Sequence, residues 1–566
     1  MTDILPGQLI YIVGVSILDA ALLSWLALLW YRRSVLRLMR EVKADTTAPH
    51  VESRPRPMLP ASTAAAGPSG LSLTEEQAGT TTRTPLGRPG LGRVILAYCL
   101  GAAAYAAVIT TLKYAPVSPR LPPVAWLVDW WANTWPIVPT LIALLVLDRR
   151  RGVRLTLLYL AGGAIGIALF TIVTQIFRGT LNSAPLTNVF WAMVSLGWMA
   201  SVPLALVALT GWRRVRAVMP LALAATVLFG FGSLLFRELF VRMFDVEVIK
   251  SLILSGAVTS SASTVQYGLF MLVSLPVGWI AWRSLIGLAS AFDRKRFSDV
   301  QLVIDCWWAV VAAQETAMTL AEGYGIAGLG GGLGAFAAYR LAVLAVLRGA
   351  RPLTTTPRRL LLLRVFGYQA RTESLFDRVA EAWRFHGPVQ LIAGVDLAAR
   401  FVDPGDVLAL LGGRLAERYV RAPQDVVERL ERLDLGPDPD GRFRINEVYC
   451  HDDTWRAMLE ALLDTSDAVL MDLRSFCTSN SGCIFELEQL VWRLPSDRIV
   501  LVCDNTTDLP FLRQILSDAW TAARDGGRTP DAGRLPIVRV ERNSRAELEL
   551  LMQCLLRTPQ RAALSS

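Results

Sequence analysis

Long apolar segments in the first half of this chain limit its fold more than any motif, because a soluble domain could not bury so many. Seven are clear: Leu9 to Tyr31, Val94 to Tyr114, Val124 to Leu147, Leu155 to Phe177, Val189 to Gly211, Val218 to Phe236 and Val265 to Trp282. Each has about the length that crosses ~30 Å of hydrocarbon, where a helix satisfies its own backbone polar groups. Two further stretches are ambiguous. Val300 to Leu320 carries Asp305, Gln314 and Glu315, and Ile326 to Leu347 is rich in glycine with Arg340 inside. Of all residues 53% are hydrophobic and the mean hydropathy is +0.40, yet the apolar excess stops near Pro352. The sequence therefore predicts a multi-pass α-helical membrane region followed by a domain that folds in water. The boundaries read as a first span over 1–31, a loop over 32–93, a helical membrane region with six to eight further spans over 94–350, a linker over 351–358 and a soluble domain over 359–560.

Charge sets the expected orientation. The formal net charge is +9, and its arginines cluster beside apolar segments, in YRRSVLRLMR, DRRRGVR, GWRRVR and DRKRF. That pattern follows the positive-inside rule and is unlike a nucleic-acid-binding stripe, so no nucleic-acid partner is expected; the partner is the lipid bilayer. It predicts an integral protein of the plasma (inner) membrane with the N-terminus outside and the C-terminal domain cytoplasmic. If both ambiguous stretches cross, or neither does, the basic RGARPLTTTPRR linker also stays inside. The loop from about Lys43 to Arg93 is dominated by Pro, Thr, Ser, Ala, Gly and Arg, and reads as disordered. Seven cysteines without CxxC spacing read as free thiols, and nothing has metal-ligand spacing. His451-Asp452-Asp453 reads as a helix start.

Beyond Arg359 short apolar runs alternate with amphipathic stretches. Strands are expected at Arg359 to Phe366, Val389 to Ala393, Arg444 to Cys450, Ala468 to Met471, Arg498 to Cys503 and Pro536 to Val540. Helices are expected at Glu373 to Arg384, Thr454 to Leu463, Cys483 to Leu494, Pro510 to Ala523 and Arg545 to Leu556. Such alternation predicts an α/β doubly wound parallel sheet. The stretch from Asp396 to Gly441 interrupts it and ends in the turn-rich GPDPDGR.

Chemistry concentrates in SDAVLMDLRSFCTSNSGCIFEL, Ser466 to Leu487, which reads as a buried strand, a polar loop and a helix start. Ligands of open α/β sheets bind at the carboxyl ends of strands, and helix N-termini offer free N–H groups to anions. Asp472 and Arg474 follow the strand and have two readings, contact with a ribose or phosphate, or a structural ion pair. Asn480 and Gly482 lie in the loop that caps the helix begun by Cys483. Ile484, Leu487, Val491 and Leu494 recur at helical spacing as the sheet-facing stripe, which puts Cys483 and Glu486 on a neighbouring face. Glu486 is either a carboxylate that stabilises or attacks an anomeric carbon, or a surface residue favoured by the helix dipole. Phe366 and Gly367 with Arg371 either clamp a nucleotide or form a plain strand-to-helix turn.

The order SDAVLMDL, polar loop, GCIFEL and RIVLVCD resembles the Toll/interleukin-1 receptor (TIR) superfamily, and Cys483 to Leu487 matches the CxxEL part of its WCxxEL helix start. It is also similar to the nucleoside deoxyribosyltransferase group. The similarity covers roughly Leu360 to Val540. Gly482 stands where the family often has Trp, and LLLLRVFGYQARTE lacks the Asp-x-Phe-x-Ser first strand. The resemblance implies a flavodoxin/TIR-like fold, Glu486 as catalytic residue, NAD or a nucleoside as substrate with no certain cofactor, and self-association of the cytoplasmic domain. The function expected is a membrane-anchored signalling or defence effector. The alternatives are a non-enzymatic receptor or scaffold, and a transporter with a regulatory domain.

In the membrane region GLGGGLG, Gly328 to Gly334, lacks the strand and Lys-Ser/Thr of a nucleotide loop and reads as a close helix contact. Trp126, Trp130, Trp131 and Trp135 read as an interfacial belt. Asp19, Asp129, Asp305, Glu315 and Arg340 are charges in or near the spans, too scattered along the sequence to define a path.

Overall fold

The computed structural model describes residues 6–45, 72–76, 90–114, 123–146, 149–178, 218–219, 221–223, 225–226, 229, 255, 262–321, 324–348, 357–365, 370–393, 404–451, 454–527 and 534–558. The chain divides into two compact units. One comprises Met1–Trp30, Leu91–Arg351 and Val402–Gly412, and the other Tyr31–Gly90, Pro352–Phe401 and Gly413–Ser566. Neither unit is one continuous segment, so the division of the sequence into successive domains is too simple. Of the described residues, 404–412 fall in the helical unit, and 31–45 and 72–76 fall in the α/β unit.

The helical unit holds most of α1 (Pro6–Asp45), then α2 (Leu91–Tyr114), α3 (Pro123–Asn133), α4 (Ile137–Leu145), α5 (Arg149–Arg178), α6 (Ala262–Asp293), α7 (Asp299–Ala321) and α8 (Gly325–Arg348). Among the described residues three helices are long and apolar enough to cross a membrane: Leu91–Tyr114, Leu275–Asp293 and Gly330–Arg348. The span expected over 124–147 is instead the two short helices α3 and α4. Pro136 explains the break, because its ring disfavours helical backbone at Trp135 and it has no N–H to give. The turn is closed by Thr134, whose hydroxyl donates to Trp131 O at 2.6 Å. The segment expected at Val189 to Gly211, and more than half of Val218 to Phe236, lie outside the described residues.

The core of this unit is formed by α2, α7 and α8, where Tyr98, Tyr105, Trp308 and Tyr339 meet among Ile109, Ile304 and Val343. Glycine makes the approach close enough. A Cβ on Gly332 would strike the Thr316 hydroxyl and Ala312 O, one on Gly331 would strike Leu112, and one on Gly101 would lie 2.8 Å from Tyr339. GLGGGLG is thus mid-helix packing surface. The charges also pair. Arg340 bonds Asp305, which accepts from Tyr339 OH at 2.9 Å, and Lys113 lies 3.5 Å from Glu315. Residues 35 apart in sequence meet because α7 and α8 pack side by side. Asp129 instead accepts from the Thr110 hydroxyl and the Asn133 amide.

The α/β unit is built on a parallel eight-stranded sheet of order β1-β8-β7-β6-β2-β3-β5-β4. Its strands are β1 (Ser72–Glu76), β2 (Leu360–Arg364), β3 (Val389–Ala393), β4 (Tyr419–Val420), β5 (Ile445–Cys450), β6 (Ala468–Asp472), β7 (Ile499–Cys503) and β8 (Arg534–Arg539). Six of these are the expected strands, within two residues at each end. Leu361, Leu363, Val469, Met471 and Leu501 point to one cluster, shared with Met458, Leu462, Leu487, Leu490, Leu512 and Leu516. Leu360, Leu362, Ala468, Leu470 and Val500 point to another, shared with Phe376, Val379, Trp383, Leu551 and Leu555. Alternate residues of each strand thus enter opposite layers, which is why the strand sequences are apolar throughout. Each fully buried Leu, Ile or Val stabilises the unit by roughly 1.5 to 3 kcal/mol.

The layers are supplied by α9 (Ala370–Trp383), α12 (Trp455–Thr465), α13 (Ser481–Arg493), α14 (Leu509–Asp525) and α15 (Arg545–Arg557). Between β3 and β5 the interrupting stretch carries α10 (Pro404–Leu411), β4 and α11 (Asp425–Glu431), which were not expected. Its GPDPDGR end forms a turn with Gly441 at φ 81°, braced by Arg444 on Asp438 at 2.8 Å. The larger correction is β1. The loop read as disordered contains a strand at Ser72–Glu76, in parallel register from Ser72 opposite Arg534 to Glu76 opposite Val538.

Candidate functional site

The strand order reverses at β2. The chain passes from β2 to its neighbour β3, and later returns to the other side of β2 as β6. At such a reversal the loops leaving the two strands go to opposite faces and open a crevice at the carboxyl ends. Here those ends are Arg364 and Asp472, opposite each other in register, with Val365 N donating to Asp472 O at 3.1 Å.

Asp472 and Arg474 form an ion pair of 2.7 Å in which both side chains are about 1% exposed. Arg474 Nε donates to Asp472 Oδ1 at 2.9 Å and Nη2 to Oδ2 at 2.7 Å, while Nη1 reaches Asn543 Oδ1 at 2.9 Å. Two of the described non-glycine residues with positive φ adjoin this arginine, Ser475 at φ 64° and Asn543 at φ 52°. The left-handed region is costly for a residue with a Cβ and persists where surrounding bonds impose it. At Ser475 the N–H donates to Thr506 Oγ1 at 3.0 Å. Of the two readings of Asp472 and Arg474, the geometry matches the ion pair, which ties the β6 loop to the segment before α15.

Helix α13 starts at Ser481, two residues before the expected Cys483, and Ile484 N donates to Asn480 O at 3.1 Å. Asn480 is its N-cap residue, but its side chain does not cap the helix. Its Oδ1 instead accepts from Cys477 N at 2.9 Å, which closes the loop on itself. Gly482 lies in the first turn, half-buried. The buried stripe of α13 is Cys483, Glu486, Leu487, Leu490 and Val491, while Ile484 is only half-buried. The sheet-facing side is therefore turned toward Cys483 and Glu486, which lie in it and not beside it. Glu486 sits in the second turn, beyond reach of the helix dipole's main benefit. The surface reading of this residue is overturned.

Glu486 is 4% exposed, and its buried Oε2 has no hydrogen-bond partner among the described residues. Burial pushes its carboxyl up to about 8, against the lowering pull of the Arg364 guanidinium. At neutral pH the resting group is thus mainly the neutral acid. Cys483 donates its thiol to Arg364 O at 3.7 Å, so the same β2 end meets both buried residues of the helix. Arg364 was missed in the sequence. Its signal was its place as the one charged residue of LLLLR, at the carboxyl end of a strand otherwise apolar throughout.

The structure brings together Glu486, Cys483 and the β2 end, and separately Asp472, Arg474 and Asn543. Phe366 and Gly367 lie outside the described residues; Arg371 lies in α9, its side chain outside them. His451 precedes α12, its N–H donating to Thr454 Oγ1 at 3.0 Å, and Asp452 and Asp453 lie outside the described residues. Among the described residues no group of three or more His, Cys, Asp or Glu could hold a metal ion. No family model, no curated protein and no solved structure matches the chain.

Proposed function

We propose that this chain is a membrane-anchored signalling or defence effector whose TIR-like, doubly wound α/β domain cleaves an N-glycosidic bond of NAD or a nucleoside, with Glu486 as the reacting carboxyl group. The observation that carries this reading is a carboxyl group kept in an apolar helix stripe, at the reversal of strand order, with one oxygen lacking a partner. Leaving a buried polar oxygen unsatisfied costs about 1 to 3 kcal/mol, a cost that a purely structural position would avoid by carrying Leu or Met.

The resting protonation state fits a substrate that is itself cationic. A nicotinamide ring placed beside the carboxyl group opposes the desolvation that raises it and favours the charged form. As the bond from the anomeric carbon to the ring nitrogen breaks, its electron pair leaves with the nicotinamide, which becomes neutral. The positive charge appears on the sugar, where the Glu486 carboxylate stabilises it until water adds and releases a proton. The Arg364 guanidinium offsets part of the cost of charging Glu486.

A second reading, a non-enzymatic receptor or scaffold, is favoured by the mutual engagement of Asp472 and Arg474, which leaves their charges paired within the protein. Both readings place the helical unit in the plasma membrane, with the N-terminus outside and the α/β domain in the cytoplasm. The three apolar helices and the basic flanks support this placement. The full chain in lipid nanodiscs, incubated with NAD and with nucleosides, separates the two. Release of the free base, abolished in Glu486→Gln, is the outcome expected of the enzyme. Saturable binding of NAD without turnover is that expected of the scaffold.

A further inference from the structure

The acidic residues of α7 lie on one face of the helix. Asp305, Trp308, Ala312 and Glu315 recur at three- and four-residue spacing, which makes a single stripe. At one end of it Asp305 is bonded by Arg340 and accepts from Tyr339 OH at 2.9 Å. At the other end Glu315 lies 3.5 Å from Lys113. Ten residues of helix separate the two carboxyl groups by about 15 Å. Both end pairs are partly exposed, with side chains 13 to 26% accessible, whereas the stretch between them is sealed. There Trp308 stacks on Tyr339 with ring centroids 4.7 Å apart and meets the Tyr105 ring edge-on at 5.1 Å. Tyr105 also feels the charge of Glu315. Tyr105 and Trp308 are 1% and 0% exposed, yet Tyr105 OH and Trp308 Nε1 have no hydrogen-bond partner among the described residues. Two neighbouring polar atoms left unsatisfied are costly, and phenylalanine at either place would avoid the cost. Internal water is the usual partner of polar groups buried together.

We propose that this column of α2, α7 and α8 side chains is a proton relay between the Glu315–Lys113 pair and the Asp305–Arg340 pair. Ionisable residues inside a membrane region mark ion and proton paths, and the packing here selects the proton. Glycine brings α8 so close to α2 and α7 that a Cβ on Gly101, Gly331 or Gly332 strikes the neighbouring side chains, which leaves no bore for a hydrated ion. A proton needs none, because it passes along hydrogen bonds. Entering at Glu315, it is handed to water at Tyr105. That water passes a proton to the Tyr339 oxygen as the Tyr339 hydroxyl gives its own to Asp305. Each hop breaks one O–H bond and forms another, and Asp305 then releases its proton to solvent and returns to its pair with Arg340. The Tyr105 hydroxyl can both donate and accept, whereas the Trp308 N–H only donates, so Trp308 orients the water and keeps its proton. Arg294, Lys295 and Arg296 precede α7, which puts Asp305 nearer the cytoplasm and Glu315 nearer the outer side. The inference rests on the placement of the helical unit in the membrane, and not on what Glu486 does.

The test uses the full chain in phosphatidylcholine–phosphatidylglycerol liposomes that hold a pH-sensitive dye, with proton entry driven by a potassium diffusion potential set by valinomycin. The wild type is expected to acidify the lumen faster than liposomes without protein do, with no uptake of labelled sodium. Asp305→Asn removes the terminal acceptor, and Tyr105→Phe deletes one hydroxyl while keeping the ring against Trp308. Each should slow acidification roughly tenfold or more, as expected for the loss of one link in a buried hydrogen-bonded chain. In Tyr105→Phe the melting temperature should hold or rise, because the deleted hydroxyl has no partner in the fold. Acidification no faster than without protein, from a chain that resists carbonate extraction, would overturn the relay. Loss of the chain to carbonate would instead reject the membrane placement that the relay requires. Sodium uptake matching the proton flux would overturn selectivity for the proton, and wild-type flux in Tyr105→Phe would overturn the route.

Discussion

At the scale of single residues, Glu486 concentrates the chemistry and the cost. Glu486→Gln keeps the shape and removes the charge, so turnover is expected to fall roughly 100-fold or more in an assay of base release. Its effect on folding follows from protonation. The carboxyl group is raised from 4.5 to about 8 by burial, so between these values the folded state holds a proton that the unfolded chain has released. Stability is therefore full below about 4.5 and declines as pH rises through about 8, by up to about 1.4 kcal/mol per pH unit. Thermal melting of the full chain between pH 5 and 9 should show this decline, and Glu486→Gln should flatten it. A steeper slope in the variant would contradict the burial of a neutral acid. Arg474→Ala leaves the Asp472 carboxylate buried and unpaired, at a cost of about 3 to 5 kcal/mol. The same melt should record a large drop. Asp472 and Arg474 were legible both as ligand contacts and as partners of each other, and the fold decided for the pair, which meets where the strand ends between them.

At the scale of elements, the strands were legible because continuous apolar runs of four to six residues suit a sheet buried on both sides. The boundaries of α13 were not. The loop offers Thr478, Ser479, Asn480, Ser481 and Gly482 as equivalent caps, and apolar spacing fixes which residues share a face more firmly than where the sheet-facing stripe is centred. Packing that buries Cys483 and leaves Ile484 half-buried turns the sheet-facing side and brings Glu486 into it. Glycines make a further element-scale prediction in the helical unit. Gly332→Ala would drive a methyl group into Thr316 and Ala312, whereas nothing lies within 4 Å of a Cβ on Gly330. Gly332→Ala should lower the melting temperature of the protein in nanodiscs, and Gly330→Ala should leave it unchanged or raise it through helix propensity. Equal effects of the two would remove the case for close packing of α7 and α8.

At the scale of the whole molecule, the basic clusters that flank the helices predict which side of the membrane the α/β unit occupies. Cys477 is exposed, and hydrogen bonds from Ser479 lower its thiol, so it is a reactive reporter. A membrane-impermeant maleimide applied to intact cells should leave Cys477 unmodified and should label it after lysis, judged against Cys477→Ser. A cysteine introduced by Pro57→Cys should behave in the same way. Labelling of either before lysis would reverse the orientation. The units also bear on how the α/β part can be isolated. A fragment from Thr354 onward contains both core layers but lacks β1, so it would start with the β8 edge uncovered.

The sequence by itself determined the division between a greasy helical part and a charged α/β part. Hydropathy and alternation are local properties, and each stretch of chain carries its own. Six strands, five of the helices around them and the mid-helix role of GLGGGLG follow from the same local signals. Tertiary structure alone decided which distant groups meet. Ser-Leu-Thr-Glu-Glu has one apolar residue and no period, and becomes a strand because β8 offers it backbone partners. Asp305 and Arg340 pair because two helices fold back on each other. Glu486 is buried because its helix packs the face of Cys483, Glu486 and Leu487 on the sheet, and that burial raises its carboxyl against the opposing pull of Arg364. Burial and pairing are properties of neighbours in space, and a sequence fixes those only through the complete fold.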